Sequence, residues 1–185
     1  MIEDIIRDAE SKMAGASDYA RQDFAAIRTG RATPDMFSKL QADYYGSPTP
    51  LIQLATFNSP EPRTMLITPF DRGALPAMLK AIRDSDLGVA PSDDGTTIRV
   101  VLPELTEERR KEYVKTARAK AEDGRVAVRN IRRHAMESVK RQEKDKEIGE
   151  DEAARAEKRL DTATKKHIDG IDAMLKAKET ELMAV

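Results

Sequence analysis

The sequence predicts an α+β protein: an elongated antiparallel three-helix bundle with a small α/β domain inserted after the first helix. Three observations lead there. All nine prolines fall between Pro34 and Pro103, and proline breaks helix interiors by removing a donor and crowding the preceding turn. The two flanks are therefore free to be long helices, and the middle is not. Both flanks carry apolar residues at steps of three and four, the helical period. With 35% charged and 39% hydrophobic residues, the chain suits narrow apolar seams better than a thick core.

The first helix runs from about Ile2 to Thr29. Ile2, Ile6, Ala9, Met13, Ala16, Ala20, Phe24 and Ile27 share one stripe, and Gly30 is a good terminator. The second opens at Thr106, an N-cap residue followed by Glu107 and Glu108, which suit the positive helix end. Its stripe holds Val114, Ala117, Ala121, Gly124, Val128, Ile131, Ala135 and Val139. Continued to about Asp145, it is about 60 Å long. A break near Gly149 separates it from a third helix whose stripe holds Ala153, Ala156, Leu160, Ala163, His167, Ile171, Leu175 and Leu182.

The middle stretch, about Arg31 to Glu104, reads as a small sheet with one or two helices. Leu40, Ala42 and Tyr44 alternate as in a half-buried strand. Thr64–Thr68 and Thr97–Leu102 are rich in strand-favouring residues. Leu75, Met78, Leu79 and Ile82 mark a short helix, and Asp94-Gly95 a turn. The domains are thus 1–30 with 105–185 for the bundle and 31–104 for the insertion. Two short linkers, Gly30–Arg31 and Pro103–Leu105, make a hinge rather than a free tether.

Composition excludes several classes of function. The chain has no cysteine, so disulfide scaffolds and Cys-based zinc sites are ruled out. Neither a secretory signal nor a membrane-length apolar run is legible, so a soluble intracellular protein is expected. Phosphate-binding glycine motifs are absent. Asp84–Gly88 and Asp145–Asp151 both fail the calcium-loop pattern, and no metal site is expected. His167 lies on an apolar stripe, as a packed histidine would. His134 stands among charges and should be exposed. No catalytic constellation is legible in the linear sequence. Tyr44 and Tyr45, adjacent in a strand, should point to opposite faces, one inward and one outward.

The net charge is −1, yet Arg109–Arg133 holds ten Lys or Arg against three acids, a local balance of 10 − 3 = +7. Lys111, Arg118, Arg125, Arg129 and Arg132 fall on one stripe about a third of a turn from the apolar seam. Arginine's planar fork suits phosphate, so this stripe is the candidate nucleic-acid contact, with Arg28 and Arg31 extending it. A solvated helix face is the competing reading. From the residues alone, a coiled-coil interaction module and a non-specific RNA chaperone stay open as well.

Six segments carry a resemblance: IRTGRATP (27–34), DYYGSPTPLIQLA (43–55), SDLGVAP (85–91), IRVVLPELTEERRKE (98–112), VAVRNIRRHAME (126–137) and DKEIGEDE (145–152). In that order and without gaps, they make the chain resemble the bacterial ribosome recycling factor family over its full length. The resemblance implies an L-shaped molecule with a small β/α/β domain. It also implies a cytoplasmic, non-enzymatic monomer without cofactor or membrane attachment. Its partners would be the ribosome, through large-subunit rRNA, and elongation factor G. With that factor and GTP it would dissociate post-termination ribosomes into subunits. By the same resemblance, Arg132 matches the family's most important rRNA contact. Arg129 and Arg133 fall in the same motif, and Arg28 and Arg31 in IRTGR. The hinge maps to Thr29, Gly30, Arg31 and Ala32 and to Leu102, Pro103, Glu104 and Leu105.

Overall fold

A computed structural model describes residues 1–184. Its elements are α1 (Ile2–Ala25), β1 (Gln41–Tyr44), β2 (Ser47–Pro50), β3 (Ala55–Glu61), β4 (Thr64–Pro69), α2 (Leu75–Arg83), β5 (Pro91–Asp93), β6 (Ile98–Val101), α3 (Glu107–Lys144) and α4 (Glu150–Met183). They form two compact units. One is Met1–Phe24 with Val114–Glu179, and the other is Ala25–Tyr113 with the segment from Thr180.

The helical unit follows the predicted stripes. Ile6, Ala9, Met13, Ala20 and Phe24 of α1 are buried, as are Ala117, Ala121, Val128, Ala135 and Val139 of α3 and Ala153, Ala156, Leu160 and Ile171 of α4. Fully burying a Leu, Ile or Met side chain contributes about 1.5–3 kcal/mol, so these few large residues carry much of the seam. The many alanines between them let the helices approach closely. The tightest place is Gly124. A Cβ there would lie 3.1 Å from Ile171 Cδ1 and 3.3 Å from Ala20 Cβ. Glycine in a helix costs about 1 kcal/mol relative to alanine, and the close approach of three helices accounts for its presence.

α3 begins as the sequence indicates: Thr106 Oγ1 accepts from Arg109 N–H at 3.1 Å. It ends at Lys144, and Lys146 takes φ +59° in the turn before α4. α1 ends at Ala25, short of the predicted Thr29. Just past it, Arg28 turns inward and donates to the carbonyl oxygens of Leu87 and Pro103.

The other unit holds two antiparallel sheets, β1-β2 and β3-β4-β6-β5. The predicted strands at 40–44, 64–68 and 97–102 are all present, as is α2. Three strands were not predicted: β2, β3 and β5. Each contains proline, which lacks a ladder donor and is confined to edges, strand starts and bulges. β3 and β5 are indeed the two edges of the larger sheet, and Pro60 lies where the β3–β4 register shifts. Phe37, Leu51, Met65, Ile67, Met78, Ile82, Ile98, Val100 and Leu102 form the core between sheet and α2. Tyr45 and Gly46 join β1 to β2 with φ +50° and +80°, the backbone of a tight hairpin turn. Tyr44 faces partly inward and Tyr45 is 85% exposed. The two rings do not point to opposite faces as a strand pair would, because Tyr45 sits in the turn beyond β1; both hydroxyls donate to Asp71 Oδ2, at 3.0 and 3.3 Å, and the rings meet edge to face at 4.6 Å.

Candidate nucleic-acid interface

Three arginines of the α3 stripe lie beside carboxylates of α4. Arg118 Nε lies 2.8 Å from Glu179, Arg125 Nε 2.7 Å from Asp172, and Arg132 Nε 2.5 Å from Asp161. Along α3 the arginines step by seven. Along α4 the partners run the opposite way, so the two helices are antiparallel and joined by a ladder of ion pairs. Glu122 adds contacts to Arg125 at 3.1 Å and Arg129 at 3.5 Å. Lys111, in the other unit, pairs with Glu107 at 3.3 Å. Arg133 is exposed and makes no ion pair among the described residues.

A ladder of this kind changes what the stripe can do. Exposed ion pairs add little to stability, about 0–1 kcal/mol each. They do hold flexible guanidinium groups in one orientation. Arginine carries five N–H donors, and each carboxylate uses only one or two of them, so an outward edge remains for phosphate. Arg132 is intermediate, with 32% of its side chain exposed and a second acid, Glu157, at 3.8 Å. Arg125 is more enclosed, at 21%, and neighbouring Asp172 and Glu122 raise its pKa above the ordinary arginine value. The sequence reading missed Asp161, Asp172 and Glu179. Their antiparallel spacing against Arg132, Arg125 and Arg118 was the available signal.

Arg28 is placed differently from the other arginines. Only 4% of it is exposed. Its Nη1 donates to Leu87 O at 3.2 Å and Nη2 donates to Pro103 O, while Nε is buried without a partner. Burial lowers its pKa from the usual arginine value, partly offset by Tyr113. Gly88 lies beside this group in the left-handed region, φ +68°, that favours glycine; a Cβ there would make only ordinary contact, 3.9 Å from Arg28 Nη1. Arg28 therefore ties the 87–88 loop to the Pro103 linker within its own unit. Arg31, three residues on, is exposed.

The predicted hinge residues are stitched at their ends. Ala32 N–H donates to Pro62 O and Leu102 N–H to Arg63 O, both at 2.7 Å. One turn, Pro62–Arg63 between β3 and β4, thus holds both linkers. Thr29 Oγ1 accepts from Arg31 N–H at 3.4 Å, and Glu104 lies 3.7 Å from Arg63. Leu102 and Leu105 are buried, and Gly30 is exposed.

His134 is exposed and His167 half-buried. Among the described residues no cluster of His, Cys, Asp and Glu could hold a metal ion, and no helix is long and apolar enough to cross a membrane.

The sequence model of the family described as "Ribosome recycling factor" matches residues 20–183. The chain belongs to the ribosome recycling factor family. It is 62% identical over 182 residues to the ribosome-recycling factor of Cutibacterium acnes, covering 98% of this chain and 99% of that protein. Against the ribosome-recycling factor of Nocardioides sp. it is 61% identical over 185 residues, with all of both chains covered. A solution structure of the ribosome recycling factor superposes with a TM-score of 0.78 at 42% identity, covering 100% of this chain and 98% of that one. A second neighbour is the Thermus thermophilus ribosome recycling factor, placed with Escherichia coli elongation factor G on the E. coli post-termination complex. It has a TM-score of 0.70 and 40% identity, with both chains fully covered. Ribosome recycling factors are non-enzymatic translation factors.

Proposed function

We propose that this chain acts in the cytoplasm as a monomer. It binds the post-termination ribosome and, with elongation factor G and GTP, promotes dissociation into subunits for a new round of translation. The observation that carries this reading is the full-length match to ribosome recycling factors, one of them placed with elongation factor G on a post-termination complex. No bond is made or broken by the chain itself.

The residues proposed to meet large-subunit rRNA are Arg132, Arg129, Arg133, Arg125, Arg118, Lys111 and Arg31. Arg28 supports that surface from within, by fixing the linker that carries Arg31. Phosphate contacts position a protein on RNA without reading its sequence, and binding through them weakens as salt rises. The prealigned guanidinium groups lower the entropic cost of that contact. The functional division proposed is 1–30 with 105–185 for ribosome binding and 31–104 for the small domain. Because Ala32 and Leu102 are bonded to the Pro62–Arg63 turn, bending would concentrate in Thr29–Arg31 and Pro103–Leu105.

Light scattering of post-termination ribosomes tests the function. A fall in scattering that requires this chain, elongation factor G from the same source and GTP together is the expected result. No fall with all three present would refute the reading.

A further inference from the structure

The α3 stripe accounts for only part of the positive charge on the helical unit. A groove of about 770 Å³ runs between α1 and α4. Arg155, Lys158, Arg159 and Lys166 line it, with Glu10 as the one acid and Ala14 and Ala163 among its small residues. Arg159 is held by Glu3 at 2.6 Å. Arg155, Lys158 and Lys166 are exposed and make no ion pair among the described residues. The contrast with α3 is direct. There, Arg118, Arg125 and Arg132 each face a carboxylate of α4. Here Arg155, Lys158 and Lys166 have no carboxylate partner among the described residues.

We propose that this α1/α4 groove is a second RNA-binding surface, which seats a phosphodiester backbone on Arg155, Lys158 and Lys166. The assignment deepens the reading that the chain binds rRNA, and rests on it for the RNA's identity. Four arguments support a nucleic-acid backbone as the occupant. The lining carries four cations against Glu10, and with the Glu3 that holds Arg159 the local balance is 4 − 2 = +2, in a chain of −1. The cations recur along α4 from 155 to 166, about 16 Å at the helical rise, which suits a repeating anion rather than a single ion. Ala14, exposed and small, lets a backbone approach α1 closely. Unpaired cations surrender no internal ion pair when they bind, so phosphate gains their full charge. Sequence reasoning passed over these residues because Glu157, Asp161 and Asp169 dilute the linear charge of α4, and only the folded helix separates the two faces.

The test uses the full chain, ¹⁵N-labelled, titrated with a labelled RNA hairpin of non-ribosomal sequence and, separately, with polyglutamate at matched charge. The comparison protein carries Arg155→Gln, Lys158→Gln and Lys166→Gln together. Amide shifts centred on residues 10–14 and 155–167, absent in the triple variant, are expected with RNA. The slope of log K against log salt should flatten by about two to three in that variant, one step per lost phosphate contact. Circular dichroism melting checks that the variant folds, which it should, because no ion pair is removed. Shifts confined to α3, or an unchanged salt slope, overturn the proposal. Equal binding of polyglutamate at the same amides overturns it too, by pointing to an acidic protein. If hairpin binding maps to the groove while ribosome splitting fails, the functional reading falls and this one stands.

Discussion

Replacing Arg132 with alanine separates stability from ribosome binding, because the structure assigns the two effects different sizes. The guanidinium meets Asp161 at 2.5 Å and Glu157 at 3.8 Å, and both acids are more than half exposed. An ion pair in such surroundings is worth about 0.2–1 kcal/mol, and water satisfies the acids left behind. For a protein of this size, 1 kcal/mol moves the melting temperature by about 2–4 °C, so the variant should melt within about 4 °C of the parent. On the ribosome, the loss is a charge-assisted hydrogen bond to phosphate, about 1.5–3 kcal/mol, or about ten- to a hundredfold in Kd. Sedimentation of ribosomes with labelled protein gives the Kd, and a calorimetric scan gives the melt. An unchanged Kd would refute the role proposed for Arg132. A large drop in melting temperature matching the binding loss would refute the separation. Asp161→Asn sharpens the comparison. If the carboxylate aims the guanidinium, this change weakens ribosome binding despite adding positive charge. If the carboxylate only competes with phosphate, binding tightens.

Two further outcomes follow from Arg28, which is buried, and His167, which is half-buried. Arg28→Met keeps the stem but removes the donors to Leu87 O and Pro103 O. Relief of an unpaired buried cation offsets part of that loss, and a net destabilisation of about 2 kcal/mol is expected; an unshifted urea midpoint would show that water replaces both bonds. His167 has a folded-state pKa below its ordinary value, chiefly through burial, with Lys166 lowering it further and Glu10 opposing. The unfolded chain therefore binds this proton more tightly. The histidine's share of stability is complete above about pH 6.5 and declines as pH falls from there towards the folded pKa. His167→Gln should narrow the difference in urea midpoint between about pH 7.5 and about pH 5.5, and an equal difference in both proteins would exclude the effect.

Periodicity and proline placement determined much of this molecule. The seams of α1, α3 and α4 follow from apolar residues at steps of three and four, because a helix alone on a surface can bury only one stripe. The prolines confined to 34–103 located the sheet-containing stretch for the opposite reason. The strands β2, β3 and β5 were illegible because proline argues against a strand until its neighbours show which side of the strand is unpaired. The inward turn of Arg28 just past α1 was also beyond local reasoning, since the carbonyls it meets belong to residues 59 and 75 positions away. The basic stripe of α3 was plain in one dimension, and its state was not. Whether an arginine is free or paired depends on which helix faces it. Tertiary structure placed the carboxylates of α4 beside α3 and left the cations of α4 beside α1. Charge is a property of the sequence, but the field it makes is a property of the fold.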